Sequence, residues 1–136
     1  AFHKEEPISE EHENELRQYI QLTLDPLKKE LEKNNVLCFI GASGSFEVLE
    51  SMTGRPSYKH KLNVVEMADA HKIAKLIIGK NLEERAHLPG MPIERVKLIV
   101  VAMILIEEVL KMTKDVTLKV TPCALKEGLL AQLLKD

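Results

Sequence analysis

Leu16, Tyr19, Ile20, Thr23 and Leu24 recur at intervals of three and four, the period of a helix with one buried face. Ser9 stands where an N-cap is needed, and Glu10 and Glu11 follow in the first turn, where carboxylates suit the helix dipole. Asp25-Pro26 restarts the helix with a cap and a first-turn proline, Leu27 and Leu31 continue the stripe, and Asn34-Asn35 ends it. Val36 to Ile40 is a continuous apolar run of strand length, the pattern of a strand covered on both faces. Phe46, Val48, Leu49 and Met52 predict a short helix stopping near Gly54, and Arg55 to Lys61, with Pro56, reads as a surface loop. Met67, Ala70, Ile73, Ala74 and Ile77 mark another helix closed by Gly79. Asn81 caps a short helix through Arg85, and Leu88-Pro89-Gly90-Met91-Pro92 breaks it. From Ile93 to about Met112 the pattern predicts the longest helix, apolar on every side and therefore the buried centre. Thr117 to Thr121 is a second short strand, and Ala124 to Leu134 a final amphipathic helix. Two strands separated by helices predict a parallel pair with a right-handed crossover. The expected fold is α/β, rich in helix, with a short parallel sheet.

The 136 residues fit one domain, large enough to bury about two-thirds of its unfolded surface. A formal net charge of −2 gives no electrostatic footprint for nucleic acid. With no Trp, two Tyr and three Phe, there is little aromatic surface on which bases could stack. Cys38 and Cys123 form neither a disulfide framework nor a CxxC pair, and read as buried free thiols in a reducing compartment. No basic-then-apolar leader opens the chain, and Leu98 to Ile106 is half of what a membrane span needs. These features predict a soluble, cytoplasmic domain with no nucleic-acid or membrane partner.

The candidate chemistry begins where the strand at residues 36–40 runs into Gly41-Ala42-Ser43-Gly44-Ser45 and then a helix. Such a junction presents unpaired N–H groups and a positive dipole end to an anion. Gly41 and Gly44 permit close backbone approach, Ser43 and Ser45 add hydroxyls, and Ser45 equally fits a plain N-cap. The P-loop lysine and the third glycine of a dinucleotide fingerprint are missing, so a tight turn and an anion seat both stand. The five histidines are scattered, with no pair at metal-ligand spacing on one helix face. Glu83-Glu84 and Glu107-Glu108 are adjacent carboxylates that read as solvated faces, and Arg55, Lys59, His60 and Lys61 form a small basic loop. No nucleophile–base pair can be composed from the spacing.

Three ordered stretches carry a resemblance. Residues 40–49, Ile-Gly-Ala-Ser-Gly-Ser-Phe-Glu-Val-Leu, resemble the VGxGGT-x-x-TL loop of the exopolyphosphatase/guanosine-pentaphosphate phosphohydrolase (Ppx/GppA) family. Glu84-Arg85, then Leu88-Pro89-Gly90-Met91 and Arg95, are similar to its eR…lpGl…RadiIvaG segment. Residues 120–130, from Val120 to Leu130, are similar to its closing vSdrgLREGLL, and Phe2 to Ser9 to the junction before the first helix of its second domain. Within these stretches Ser43 and Ala102 replace glycines, Ser45 a threonine, Lys97 an acid and Lys126 an arginine.

The resemblance implies an actin-like ATPase (ribonuclease H-like) fold, in which two domains close over a phosphate-binding cleft. It implies hydrolysis of terminal phosphoanhydride bonds of polyphosphate or guanosine pentaphosphate, usually with Mg²⁺. Residues 1–8 would be a connector, and 9–136 the C-terminal part of the second domain. Gly41, Ala42, Ser43, Gly44 and Ser45 would hold phosphate or nucleotide, with Arg85, Lys126 and Glu127 as candidate cleft-lining residues. The family's catalytic glutamate belongs to its first domain, so no catalytic residue and no metal ligand is expected here. The alternative is a catalytically inactive regulatory or partner-binding domain of the same fold. In the family's strand order a further strand lies beside residues 36–40, so an exposed edge there, and a homodimer through it, are expected.

Overall fold

The computed structural model describes residues 7–55, 62–113 and 116–134. Helix α1 (Glu10–Thr23) is capped by Ser9, whose side chain accepts from the His12 N–H, and acidic residues fill its first turn. After one turn the chain re-enters helix as α2 (Asp25–Lys33), with Leu24 rather than Asp25 at the cap position and Pro26 in the first turn. Strand β1 (Cys38–Ala42) leads into α3 (Gly44–Met52), β2 (Asn63–Val65) into α4 (Met67–Ile78), and α5 (Leu82–Ala86) follows. A single 3₁₀ turn, Ile93–Arg95, precedes α6 (Ile99–Leu110), β3 (Thr117–Thr121) and α7 (Leu125–Leu133). Asn81 and Glu84 cap α5 reciprocally, the cap expected from the sequence.

The sheet has three strands in the order β1-β3-β2. β1 runs parallel to β3, with Gly41 opposite Val120, and β2 runs antiparallel to β3, with Val65 opposite Leu118. The α/β class stands, but the sheet is mixed rather than parallel. β2 has three residues, too few to show an alternation, and is tied to α3 by the Asn63 amide donating to the Glu50 carboxylate. Phe39, Gly41, Leu118, Val120 and Val65 share the face that α3 covers, and the apolar residues of that face join those of α4 and α6 in one core. Ile40 and Val64 lie on the other face, Ile40 61% exposed, so β1 is covered on one face and not on two. Among the described residues β1 has β3 as its only strand neighbour.

α6 is the buried centre, with Ile99, Val100, Met103 and Ile104 inaccessible between α1, α3 and α4. It starts six residues later than the apolar pattern suggests, and α1, not α6, is the longest helix. Ile93 and Leu98 are exposed, so the apolar run there is not a buried helical face. Glu107 and Glu108 are not solvated: they are 9% and 3% exposed. Arg17 reaches across from α1 to bridge them, Nη2 to Glu107 and Nη1 to Glu108, both at 2.6 Å. Cys38 is half-buried and Cys123 exposed, so neither is the buried thiol expected. The leucines of α7 are exposed, because no described element packs over them. Lys59, His60, Lys61 and most of the connector at 1–8 lie outside the described residues, whereas Arg55 pairs with Asp69 at 2.9 Å.

Candidate functional site

The glycine-serine stretch divides differently from its sequence reading. Gly41 and Ala42 are still strand, paired with Val120 and Thr121, and α3 already begins at Gly44. One residue, Ser43, makes the whole transition. It takes φ 78° and ψ 172°, a region open almost only to glycine, and at a cost of about 1–3 kcal/mol for any other residue. Ser43 is the N-cap residue through its carbonyl, which accepts from the Phe46 and Glu47 N–H groups, and Ser45 is inside the helix and not its cap. The N–H groups of Gly44 and Ser45 have no carbonyl behind them in the helix to bond.

Each glycine accommodates a named neighbour. A Cβ on Gly41 would stand 2.2 Å from the Phe46 ring, and one on Gly44 would stand 2.1 Å from Arg95 Nη2. The Arg95 guanidinium therefore lies flat against the first residue of α3. Ser43, Gly44 and Arg95 share a depression of about 420 Å³ with Glu47, Pro122, Ala124, Leu125, Lys126 and Leu129. Two cationic side chains, a helix N-terminus and a hydroxyl thus converge on one surface. An anion held there would gain charge-assisted hydrogen bonds and the favourable end of the α3 dipole.

The other expected residues fall apart from this group to varying degrees. Lys126 lines the depression, with its Nζ 3.5 Å from Glu127 Oε1. Glu127 turns back to accept the Ala124 N–H at 2.8 Å, and this backbone bond, with Lys126 nearby, holds its carboxyl below the ordinary value. Its role in the fold is to cap α7. Arg85 is fully buried, donating from Nε to the Val96 carbonyl at 3.1 Å and from Nη1 to the Lys80 carbonyl at 2.5 Å. It faces inward and does not line the depression. Arg95 lines it through its contact with Gly44, a meeting of distant segments that no local pattern announces. Among the described residues no group of three or more His, Cys, Asp or Glu could hold a metal ion. No described helix is long and apolar enough to cross a membrane.

Replacing Ser43 by glycine should release the backbone strain. Because the side chain is exposed, little else is lost, and the expected gain is about 1 kcal/mol. Thermal unfolding should show a higher Tm for Ser43→Gly; a lower one would mean that the hydroxyl contributes more than the strain costs.

The fold has close counterparts among solved structures. An exopolyphosphatase from Cytophaga hutchinsonii superposes with a TM-score of 0.85 at 28% identity, over 98% of this chain and 45% of that one. The Aquifex aeolicus member of the Ppx/GppA family gives 0.83 at 20% identity, over 99% and 44%. An exopolyphosphatase-like protein gives 0.82 at 13% identity, over 98% and 46%. The chain thus spans less than half the length of these structures. No curated protein matches it. The model of the Ppx/GppA phosphatase family matches residues 1–136, and the chain belongs to that family.

Proposed function

We propose that the chain supplies one wall of the phosphate- or nucleotide-binding cleft of an exopolyphosphatase-related phosphoanhydride hydrolase, acting on polyphosphate or guanosine pentaphosphate. The observation that carries this is the Arg95 guanidinium laid on Gly44 at the N-terminus of α3, beside Ser43 and Lys126 in one depression. In this reading residues 9–136 are the C-terminal part of the second domain, working in the cytoplasm. The water-positioning carboxylate and the Mg²⁺ that shields phosphate oxygens come from outside these residues. Ser43 keeps a backbone shape suited to glycine although glycine is gone, which favours a retained loop over a decayed one. The edge of β1 that no described strand pairs, with Ile40 exposed beside it, supports self-association through that edge in the isolated chain; a monomer by light scattering at micromolar concentration would exclude it.

Titration with inorganic tripolyphosphate tests the site. Arg95→Ala removes charge-assisted hydrogen bonds and should weaken binding about tenfold or more, with Lys126→Ala weaker in effect. Equal affinity for wild type and both variants would show that the junction is only a turn. Hydrolysis is a separate outcome: the chain alone should release no phosphate from polyphosphate with Mg²⁺. Release above a buffer blank, abolished by Gly44→Val, would place the hydrolytic group within these residues.

A further inference from the structure

We infer that Ser51 and Arg85 are positioning residues that hold Arg95 over the N-terminus of α3, an inference that rests on the anion-seat reading above. The segment bearing Arg95 is anchored on both sides. On one side Leu88-Pro89-Gly90-Met91 forms a turn closed by the Met91 N–H on the Leu88 carbonyl at 3.1 Å, with Gly90 at φ 84°. That is the pattern of a type II turn, with proline second and glycine third. The turn is fastened to the far end of α3: the Ser51 hydroxyl donates to the Gly90 carbonyl at 2.6 Å. A Cβ on Gly90 would meet the Ser51 carbonyl carbon, its oxygen and its hydroxyl, each at 3.0 Å, so the two backbones touch.

On the other side the carbonyl of Val96, next to Arg95, accepts from the buried Arg85 guanidinium, which also donates to the Lys80 carbonyl. Arg85 therefore bolts the segment to the start of α5. Gly90 sits against Ser51 and Arg95 against Gly44, so residues 90–95 run back along α3 over about 10 Å. α3 acts as a ruler. The clamp at Ser51 and the bolt at Val96 set where along it the Arg95 guanidinium rests. A preformed guanidinium loses less rotamer freedom on meeting an anion, which is what preorganisation contributes to affinity. Neither positioning residue lines the depression that holds Arg95 and Ser43.

Arg85→Met empties a buried polar site and risks unfolding the chain, so Ser51→Ala is the deciding variant. The primary readout needs no ligand: the heteronuclear NOE of the Arg95 Nε–Hε group by NMR. In the wild-type chain this group should be ordered, and in Ser51→Ala it should become mobile, with Ser51→Thr restoring order by returning the hydroxyl. Affinity for tripolyphosphate should fall about fivefold in Ser51→Ala, the loss of one hydrogen bond's worth of positioning. An Arg95 signal equally ordered in wild type and Ser51→Ala, or already mobile in wild type, would overturn the inference. A wild-type chain that fails to bind tripolyphosphate would instead remove the anion-seat reading, while the ligand-free signal would still decide the clamp.

Discussion

Arg17→Met should destabilise the chain by about 3–5 kcal/mol at pH 7, because it takes the shared cation from a buried pair of carboxylates. Methionine keeps most of the aliphatic stem, so the loss is that of the charge. Arg17 donates to Glu13, Glu107 and Glu108, and its guanidinium is held firmly protonated: burial opposes the charge, but the bonds to Glu107, Glu13 and Glu108 outweigh it. Without it, two nearly inaccessible carboxylates remain side by side on α6, with Lys111 and Gln21 on Glu108 and His71 at 3.7 Å from Glu107. The pH dependence separates this mechanism from simple loss of packing. Burial raises the Glu108 carboxyl, but hydrogen bonds from Gln21, Lys111 and Arg17 more than offset it and hold it below the ordinary carboxylate range. In the wild type this depressed group contributes stability above the unfolded-state value, lost as the pH falls through the folded-state value. In Arg17→Met burial is left less opposed, the folded state takes up protons more readily, and acidification relieves the repulsion. The stability gap between wild type and variant, from denaturant unfolding, should therefore narrow between pH 7 and pH 4.5. A gap of constant size would show that packing, not charge, is what Arg17 supplies.

The same network shows what could be read along the chain and what could not. The Ser9 and Asn81 caps, the closing Gly79 and the strand before Gly41 depend on neighbours within a turn, and the chain order displays them. Glu107-Glu108 reads as a solvated face because the local partner in view, Lys111 on Glu108, suits an exposed ion pair as well as a buried one. The cation that bridges both carboxylates, Arg17, is on α1, far along the sequence, and only the tertiary packing of α1 on α6 supplies it. The apolar run overstates the length of α6 for a related reason. Ile93 and Leu98 carry the apolar composition of the core but not its position, since the turn that holds Arg95 occupies that stretch. β2 is short enough that its three residues gain their strand conformation from β3 rather than from any preference of their own.

The strand-to-helix junction of the candidate site was legible in the sequence; the side chains that line it were not. A strand ending in small residues before a helix located the junction, and Lys126 does border it. In the sequence the glycines look like room for a ligand. The structure gives Gly41 to Phe46 and Gly44 to Arg95, so the bare backbone makes room first for the protein's own side chains. Arg85 and Arg95 are both arginines of the same motif, and composition cannot say which turns outward. Burial decides it: Arg85 is buried and donates to the Val96 and Lys80 carbonyls, while Arg95 lies at the depression.

Gly41→Val should cost about 2–3 kcal/mol, and the route of that loss can be isolated. Gly41 does not have a positive φ, so the backbone itself would accept valine in the middle of β1. The obstacle is the Phe46 ring, three of whose atoms would lie within 2.2–2.7 Å of the new Cβ. Gly41 is buried on the covered face, opposite Val120, so the valine cannot turn to solvent without slipping the register of β1 on β3. The ring must move instead, and Phe46 packs against the core beside α6, so its displacement opens a void there. Phe46→Ala alone should also destabilise, by leaving a cavity. Combined, the two should partly cancel, because the valine fills space that the ring vacated. The double variant is expected to be more stable than the sum of the single losses predicts by about 1 kcal/mol or more, measured as a double-mutant cycle by urea unfolding. Strict additivity would show that Gly41 is needed for something other than the Phe46 ring, and the free edge of β1 would then be the place to look.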